Sequence, residues 1–124
     1  MMDRLDAIFE KRQRFMDLLE SVRPGSYPPC PLDLSDKGIQ QRLRDLALRG
    51  VEEMFEAVAH LKNWKSHRFT NVPEFDRDSF LEETVDAFNY FLALLIQVGV
   101  TPDEFFDAFE KKDEIIRRRI KERY

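Results

Sequence analysis

A long apolar stretch in the second half of the chain places the strongest constraint on the fold. Residues 84–98, TVDAFNYFLALLIQV, are apolar on nearly every helical face, which predicts a helix buried on most sides. Glu83, Asp86 and Asn89 recur at intervals of three, so they share one face of this helix. A buried carboxylate requires a partner or a metal ion, because its desolvation is costly. No Lys, Arg or His lies between Glu83 and Val98, so a group outside the helix must neutralise Asp86.

Composition indicates a single globular domain over residues 1–124. An apolar content of 43% is too high for a disordered chain, and the length suffices for one core. The net charge of −4 gives no general attraction to nucleic acid or to anionic membranes. The longest uncharged apolar run, residues 87–100, is too short to span a bilayer comfortably. The single cysteine, Cys30, and the absence of a signal-peptide pattern predict a cytoplasmic protein.

Apolar periodicity predicts four helices and no strand, which is an all-α fold. The first helix is expected over residues 3–22, and the second from a cap at Ser35 or Asp36 to about Lys65. The third is expected to begin near Asp78 or Ser79, and the fourth to follow after residue 101. The proline-rich residues 23–36 are expected to form a semi-rigid strap between the first two helices.

Local signals mark the ends of the third and fourth helices. Ser79 and Glu82 fit a capping box, and Gly99 suits a left-handed residue that ends the third helix. Thr101 with a following proline suits the start of the fourth helix. Gly50, inside the second helix, either permits the close approach of another backbone or is incidental. The fourth helix is expected to bury its large apolar residues, Phe105, Phe106, Phe109, Ile116 and Ile120.

Two acidic motifs carry the chemistry that the sequence suggests: Glu52-Glu53-x-x-Glu56 and Glu83-x-x-Asp86. If the second and third helices pack antiparallel, Glu53, Glu56, Glu83 and Asp86 can face one another. Without a cation such a cluster repels itself, whereas Mg²⁺ prefers oxygen ligands of this kind. The pattern alone leaves a second interpretation open, in which the glutamates form a solvated face and Asp86 pairs with an arginine. His60 is a possible further ligand, although a surface or hydrogen-bonding role is more common.

The spacing of these motifs, with 26 residues between Glu56 and Glu83, resembles the signature of the all-α NTP pyrophosphatases. That superfamily includes the MazG-like proteins and the dimeric dUTPases, and the dUTPase-like branch is the more similar. Three shorter stretches add to the resemblance: residues 13–17 (QRFMD), 62–65 (KNWK) and 109–119 (FEKKDEIIRRR). The resemblance covers nearly the whole chain, and the paired acidic motifs are its specific part.

The resemblance implies a four- to five-helix bundle and Mg²⁺-dependent hydrolysis of a nucleoside triphosphate, with dUTP as the expected substrate, to the monophosphate and pyrophosphate. Two or more Mg²⁺ ions, with Mn²⁺ as a substitute, would be held by Glu53, Glu56, Glu83 and Asp86, and Glu52 or Glu53 would activate the water. The substrate-binding candidates comprise amides for the base, an aromatic ring and basic residues for phosphate: Gln13, Asn89, Trp64, Lys65, Arg68, Lys112 and Arg118. Trp64 can either contact the base or close the core, and each basic residue can equally be ordinary surface charge.

A self-associating chain is also expected. A third helix that is apolar on nearly every face lacks enough neighbours in a four-helix monomer, which predicts a homodimer or a dimer of dimers. Two other functions stay open: a MazG-like hydrolase with broad or dCTP preference, and a non-catalytic helical module whose acids bind a basic partner. Asn89 stands where dUTPase-like sequences often have His, and Asp113 where they often have Asn, so the base preference is not fixed by the sequence.

Overall fold

The computed structural model describes residues 2–71 and 74–123, and over these residues it contains helices and loops but no strand. The predicted all-α class is therefore confirmed. The four helices are α1 (Arg4–Val22), α2 (Lys37–Ala59), α3 (Arg77–Val98) and α4 (Pro102–Arg123). Each lies within a few residues of its predicted position, except that α2 ends earlier than expected.

Aspartates cap the first three helices. The carboxylate of Asp3 accepts a hydrogen bond from the backbone N–H of Asp6, and Asp36 accepts one from Ile39 at 3.0 Å. Helix α3 begins at Arg77 because the carboxylate of Asp76 accepts a hydrogen bond from the N–H of Ser79 at 3.1 Å. The expected capping box of Ser79 and Glu82 is therefore wrong: Asp76 is an equally good cap and lies earlier in the chain.

The ends of α2 and α3 depend on residues in the left-handed conformation. Helix α2 ends at Ala59 and not near Lys65, because the chain turns away through Lys62 at φ 72°. Gly99, at φ 94°, ends α3 as predicted, and its N–H donates to the carbonyl oxygens of Leu95 and Ile96. Thr101 then caps α4, since its hydroxyl accepts a hydrogen bond from the N–H of Glu104 at 3.1 Å.

Helices α2 and α3 form the main packed pair, and they run antiparallel. Gly50 of α2 lies against Phe91 of α3, whereas Glu56, further along α2, lies near Glu83, earlier in α3. A Cβ atom on Gly50 would lie 2.4 Å from Cε1 of Phe91. The glycine thus makes room for an aromatic ring and not for another backbone. Helix α1 covers the carboxyl-terminal half of α3, where the core is formed by Phe9, Met16, Ala93 and Ile96.

The proline-rich strap is held by side chains from each of the first three helices. Glu20 of α1 accepts a hydrogen bond from the N–H of Gly25 at 3.0 Å, and this contact lowers the pKa of its carboxyl group. Arg42 of α2 donates to the carbonyl oxygen of Gly25 at 2.8 Å, and Gln97 of α3 donates to that of Pro28 at 3.2 Å. These contacts explain how a segment without regular structure keeps a defined path.

Helix α4 turns away from the rest of the chain. It makes an angle of 106° with α3, and among the described helices it contacts only α1. The five apolar residues that were expected to be buried are all exposed, from 38% for Phe105 to 63% for Phe109. The expectation was wrong for a single chain, because α1 is the one described helix that contacts α4, as in the pair of Phe9 and Phe105 with ring centroids 6.5 Å apart. Helix α3 also has an uncovered side, formed by Leu81, Val85 and Phe88.

No single helix among the described residues combines the length and hydropathy needed to cross a membrane. Helices α3 and α4 meet that requirement only when taken together, as a pair with the sharp bend described above.

Candidate functional site

Three carboxylates from α2 and α3 come together at one end of the packed pair. Glu53, Glu56 and Glu83 each place a carboxylate oxygen within 4.8 Å of the others. Glu53 and Glu56 share a face of α2 because they are three residues apart. The antiparallel packing of α2 on α3 brings Glu83 opposite them. We call these three residues the acidic trio.

Mutual repulsion and partial burial alter the acidity of the trio. The pKa of Glu53 is raised, first by a hydrogen bond with the carboxyl group of Glu56, then by desolvation and by the charges of Glu56, Asp86 and Glu83. The pKa of Glu83 is raised mainly by desolvation and by the charges of Glu56 and Asp86, while the nearby His60 opposes this shift. Such a group of carboxylates favours either a shared proton or a bound cation.

The two remaining motif acids lie beside the trio. Asp86 is exposed, so the expectation that it is buried was wrong. The apolar residues around it face an uncovered side of α3, which removes the need for a partner. Its charge still acts on both Glu53 and Glu83, although it is not among the described carboxylates that converge within 4.8 Å. Glu52 is exposed on α2 and likewise lies outside the trio.

The donor set of the trio fits a hard divalent cation. Mg²⁺ binds oxygen ligands at about 2.1 Å in octahedral geometry, so two protein ligands lie at most about 4.2 Å apart. Of three ligands on one octahedral ion, at least two pairs lie about 3.0 Å apart, so trio oxygens that are within 4.8 Å of one another must approach by at most about 1.8 Å. Three carboxylates leave coordination positions open, and Asp86, whose charge acts on Glu53 and Glu83, is a fourth candidate ligand.

The loop after α2 carries several of the predicted substrate-binding residues. It begins at His60, the half-buried C-cap of α2, one helical turn from Glu56. Trp64 is 44% exposed and its ring lies 5.7 Å from that of Phe55, so it does not close the core. The Nζ atom of Lys65 lies 5.3 Å from the centre of the Trp64 ring, and the side chain of Arg68 is exposed. These groups lie at the same end of α2 as Glu56.

Gln13 and Asn89 are not close to one another. The amide nitrogen of Gln13 donates to Asp17 at 2.9 Å, as their spacing on one face predicts. Gln13 lines a cavity together with Cys30 and Ile96. Ile96 lies thirteen residues along α3 from Glu83, which corresponds to about 20 Å of helix. Asn89 is half-buried and lies on α3, two turns or less from Glu83.

The basic candidates of α4 are remote from the acidic trio within one chain. Lys112 and Arg118 are exposed on a helix that contacts only α1 among the described helices. The guanidinium of Arg118 lies 3.8 Å from the carboxylate of Glu114, in the same helix. The fold therefore does not bring Lys112, Arg118 or Gln13 to the trio of their own chain.

Two residues next to the trio were not predicted as functional. Arg49 precedes Glu53 by four residues and Tyr90 follows Asp86 by four, so each lies one helical turn further along the groove between α2 and α3. Both line a cavity beneath the strap. The spacing of four was the signal that could have identified them. The pKa of the Cys30 thiol is raised by desolvation and by the charge of Asp17, which disfavours the reactive thiolate.

Comparisons with known proteins give the chain no established relative. No protein-family model matches it, and no match was found among curated proteins or among solved structures. The likeness to the all-α NTP pyrophosphatases therefore depends on the acidic motifs and the shorter stretches quoted above. What the site does must be inferred from its own residues.

Proposed function

We propose that the protein is a Mg²⁺-dependent nucleoside triphosphate pyrophosphohydrolase that converts dUTP or a related nucleotide to the monophosphate and pyrophosphate. The observation that carries this proposal is the convergence of Glu53, Glu56 and Glu83 from two antiparallel helices, with raised pKa values for Glu53 and Glu83. Acids that repel one another at this distance gain most from a divalent cation. The spacing of the two motifs supports a phosphate-bearing substrate for that cation.

In this proposal the trio holds Mg²⁺, and Asp86 completes the carboxylate set. When bound, the cation neutralises phosphate charge and lowers the pKa of a coordinated water. Glu53 is better placed than Glu52 to accept the proton of the attacking water, since Glu52 lies outside the trio.

The loop after α2 supplies the substrate contacts that a single chain can offer. Lys65 and Arg68 are proposed to bind phosphate oxygens, for which Arg can provide two parallel hydrogen bonds. The exposed ring of Trp64 can stack on a base, because the structure leaves it out of the core. Asn89, half-buried on α3, can present both a donor and an acceptor to a base edge.

A second copy of the chain is proposed to complete the site. The large apolar residues of α4 and one side of α3 are exposed in the single chain, and a homodimer or dimer of dimers would cover them. Such an assembly is also the route by which Lys112, Arg118 and Gln13 could reach the trio of a partner. We expect light scattering after gel filtration to give at least a dimer at micromolar concentration. A monomeric mass under those conditions would contradict this part of the proposal.

Pyrophosphate release from a panel of triphosphates tests the activity directly. We expect Mg²⁺-dependent release that is fastest with dUTP and persists with Mn²⁺. Glu83→Gln should lower kcat/KM by about 100-fold or more, since even indirect metal contacts are worth 10- to 100-fold. Glu82→Gln is the matched control, because Glu82 is the exposed neighbour outside the trio.

The alternatives are distinguished by the same panel. Preference for dCTP, or equal rates with many triphosphates, would favour the MazG-like function. No release from any triphosphate, together with no heat of Mg²⁺ binding, would refute the hydrolase and favour a non-catalytic helical module. Glu83→Gln with near-normal turnover would show that the trio is not the metal site.

A further inference from the structure

A cavity of about 340 Å³ lies between the strap and the groove formed by α2 and α3. Its apolar wall includes Leu19, Ile39 and Leu43, and its polar wall includes three arginines, Arg23, Arg42 and Arg49. This volume falls in the range of sites for small organic ligands, which are mostly apolar with a few convergent polar groups. The mixture of branched aliphatic side chains and guanidinium groups suits a ligand with both an apolar body and a negative charge.

The charge of the cavity is opposite to that of the whole chain. Three arginines face one carboxylate, that of Asp45, which lies 3.3 Å from the guanidinium of Arg44 outside the cavity. The side chains of Arg23 and Arg49 form no ion pair or hydrogen bond with a described residue, whereas Arg42 is fixed by the strap. A chain with a net charge of −4 thus has, at one cavity with both polar and apolar walls, two guanidinium groups that pair with no described residue.

A buried amide fixes one wall of the cavity. Gln97 lines the cavity and is only 5% exposed. Its amide nitrogen donates to the carbonyl oxygen of Pro28 at 3.2 Å, which holds the strap against α3. The cavity is therefore formed by side chains and backbone that keep a defined position.

We infer that this cavity binds a small organic phosphate of the size of a nucleoside monophosphate, at a position separate from the acidic trio. The guanidinium groups of Arg23 and Arg49 bind the phosphate, for which the planar fork of arginine is well shaped. The aliphatic wall contacts the ring system. Binding here needs no metal ion.

The position of the cavity makes it distinguishable from the proposed metal site. Arg49 lies one helical turn from Glu53, but Arg42 lies eleven residues from it, or about 16 Å along α2. A ligand seated between the strap and α2 is therefore displaced from a ligand held at the trio. The inference does not depend on the proposed hydrolysis, and each can fail without the other.

Isothermal titration calorimetry with uridine 5′-monophosphate, in buffer that contains EDTA, tests the inference. We expect one molecule bound per chain, with uridine and inorganic phosphate each binding at least about tenfold more weakly. Arg49→Ala and Arg23→Ala should each weaken binding by about tenfold, which corresponds to about 1.4 kcal/mol. Lys37→Ala, which removes an exposed cation on the same helix but outside the cavity, is the control and should bind like the wild type. Far-UV circular dichroism establishes that each variant is folded.

Several results would overturn the inference. Absence of binding at millimolar nucleotide, or unchanged affinity in both Arg49→Ala and Arg23→Ala, would show that the cavity is not the site. Equal affinity for inorganic phosphate would show that the apolar wall plays no part. Loss of binding in Glu83→Gln, with EDTA still present, would place the nucleotide at the acidic trio.

Discussion

The contact between Gly50 and Phe91 sets how closely α2 approaches α3, and Gly50→Ala tests it. A Cβ atom at position 50 would lie 2.4, 2.7 and 2.9 Å from three ring carbons of Phe91. Carbon atoms in contact are normally about 3.5 Å or more apart, so the ring must move by about 1 Å. Overpacking of this kind costs about 1–3 kcal/mol, while alanine gains up to about 1 kcal/mol in helix propensity. We therefore expect a net loss of about 1 kcal/mol, or about 3–6 °C in Tm.

Urea unfolding of Gly50→Ala and the wild type at one protein concentration measures this loss, since self-association would make stability depend on concentration. Phe91→Leu provides a second background in which the ring is absent. If the ring causes the penalty, Gly50→Ala should be neutral or stabilising there, and the double-mutant cycle should show coupling. A Gly50→Ala protein as stable as the wild type would refute the close contact. So would an equal penalty in both backgrounds.

Three further predictions concern the trio and the end of α3. Because the folded-state pKa values of Glu53 and Glu83 are raised, the folded protein binds more protons than the unfolded chain above about pH 4.3, the usual glutamate value. In EDTA, the free energy of unfolding of the wild type should therefore fall relative to that of Glu53→Gln as pH rises from about 4.3 through the raised pKa. A difference between the two proteins that does not change with pH would contradict the raised pKa. At pH 7.5, Mg²⁺ should raise the Tm of the wild type with increasing concentration but leave that of Glu83→Gln unchanged, as measured by differential scanning fluorimetry. Equal shifts in both proteins would place the cation elsewhere. Gly99→Ala should lose about 1–2 kcal/mol in urea unfolding, because Gly99 has φ 94° and a Cβ atom disfavours that conformation. A loss below about 0.5 kcal/mol would contradict the strain argument.

Helix positions followed from local signals that depend on few neighbours. Periodic apolar residues placed all four helices, and Asp36, Gly99 and Thr101 marked boundaries because a cap acts within one turn of its own helix. The errors arose where two local signals competed. Asp76 and Ser79 could each cap α3, and Asp76 does so. Nothing in the apolar pattern indicated that Lys62 would turn the chain away after α2.

Burial was the weakest part of the sequence-based prediction. Apolar residues around Asp86 indicated a buried helix, and the apolar residues of α4 indicated a core position. In the single chain, however, Val85, Phe88 and the α4 residues that were expected in the core are exposed. A hydrophobic pattern identifies surface that is stabilised by burial, but it does not show whether the residues that bury it belong to the same chain. The direction of α4, set at Gly99 and Thr101, decides that its own chain does not provide them.

The sequence by itself determined the helical class and the helix-end signals at Asp36, Gly99 and Thr101. It also determined the spacing that puts Glu53 and Glu56 on one face of α2. Only the tertiary structure decided that Glu83 meets them while Glu52 and Asp86 stay outside, and that Arg49 lines a cavity beneath the strap. Spacing within a helix is fixed by 3.6 residues per turn, which any sequence of the helix obeys. The meeting of two helices depends on which side chains pack between them, and that is a property of the folded chain as a whole.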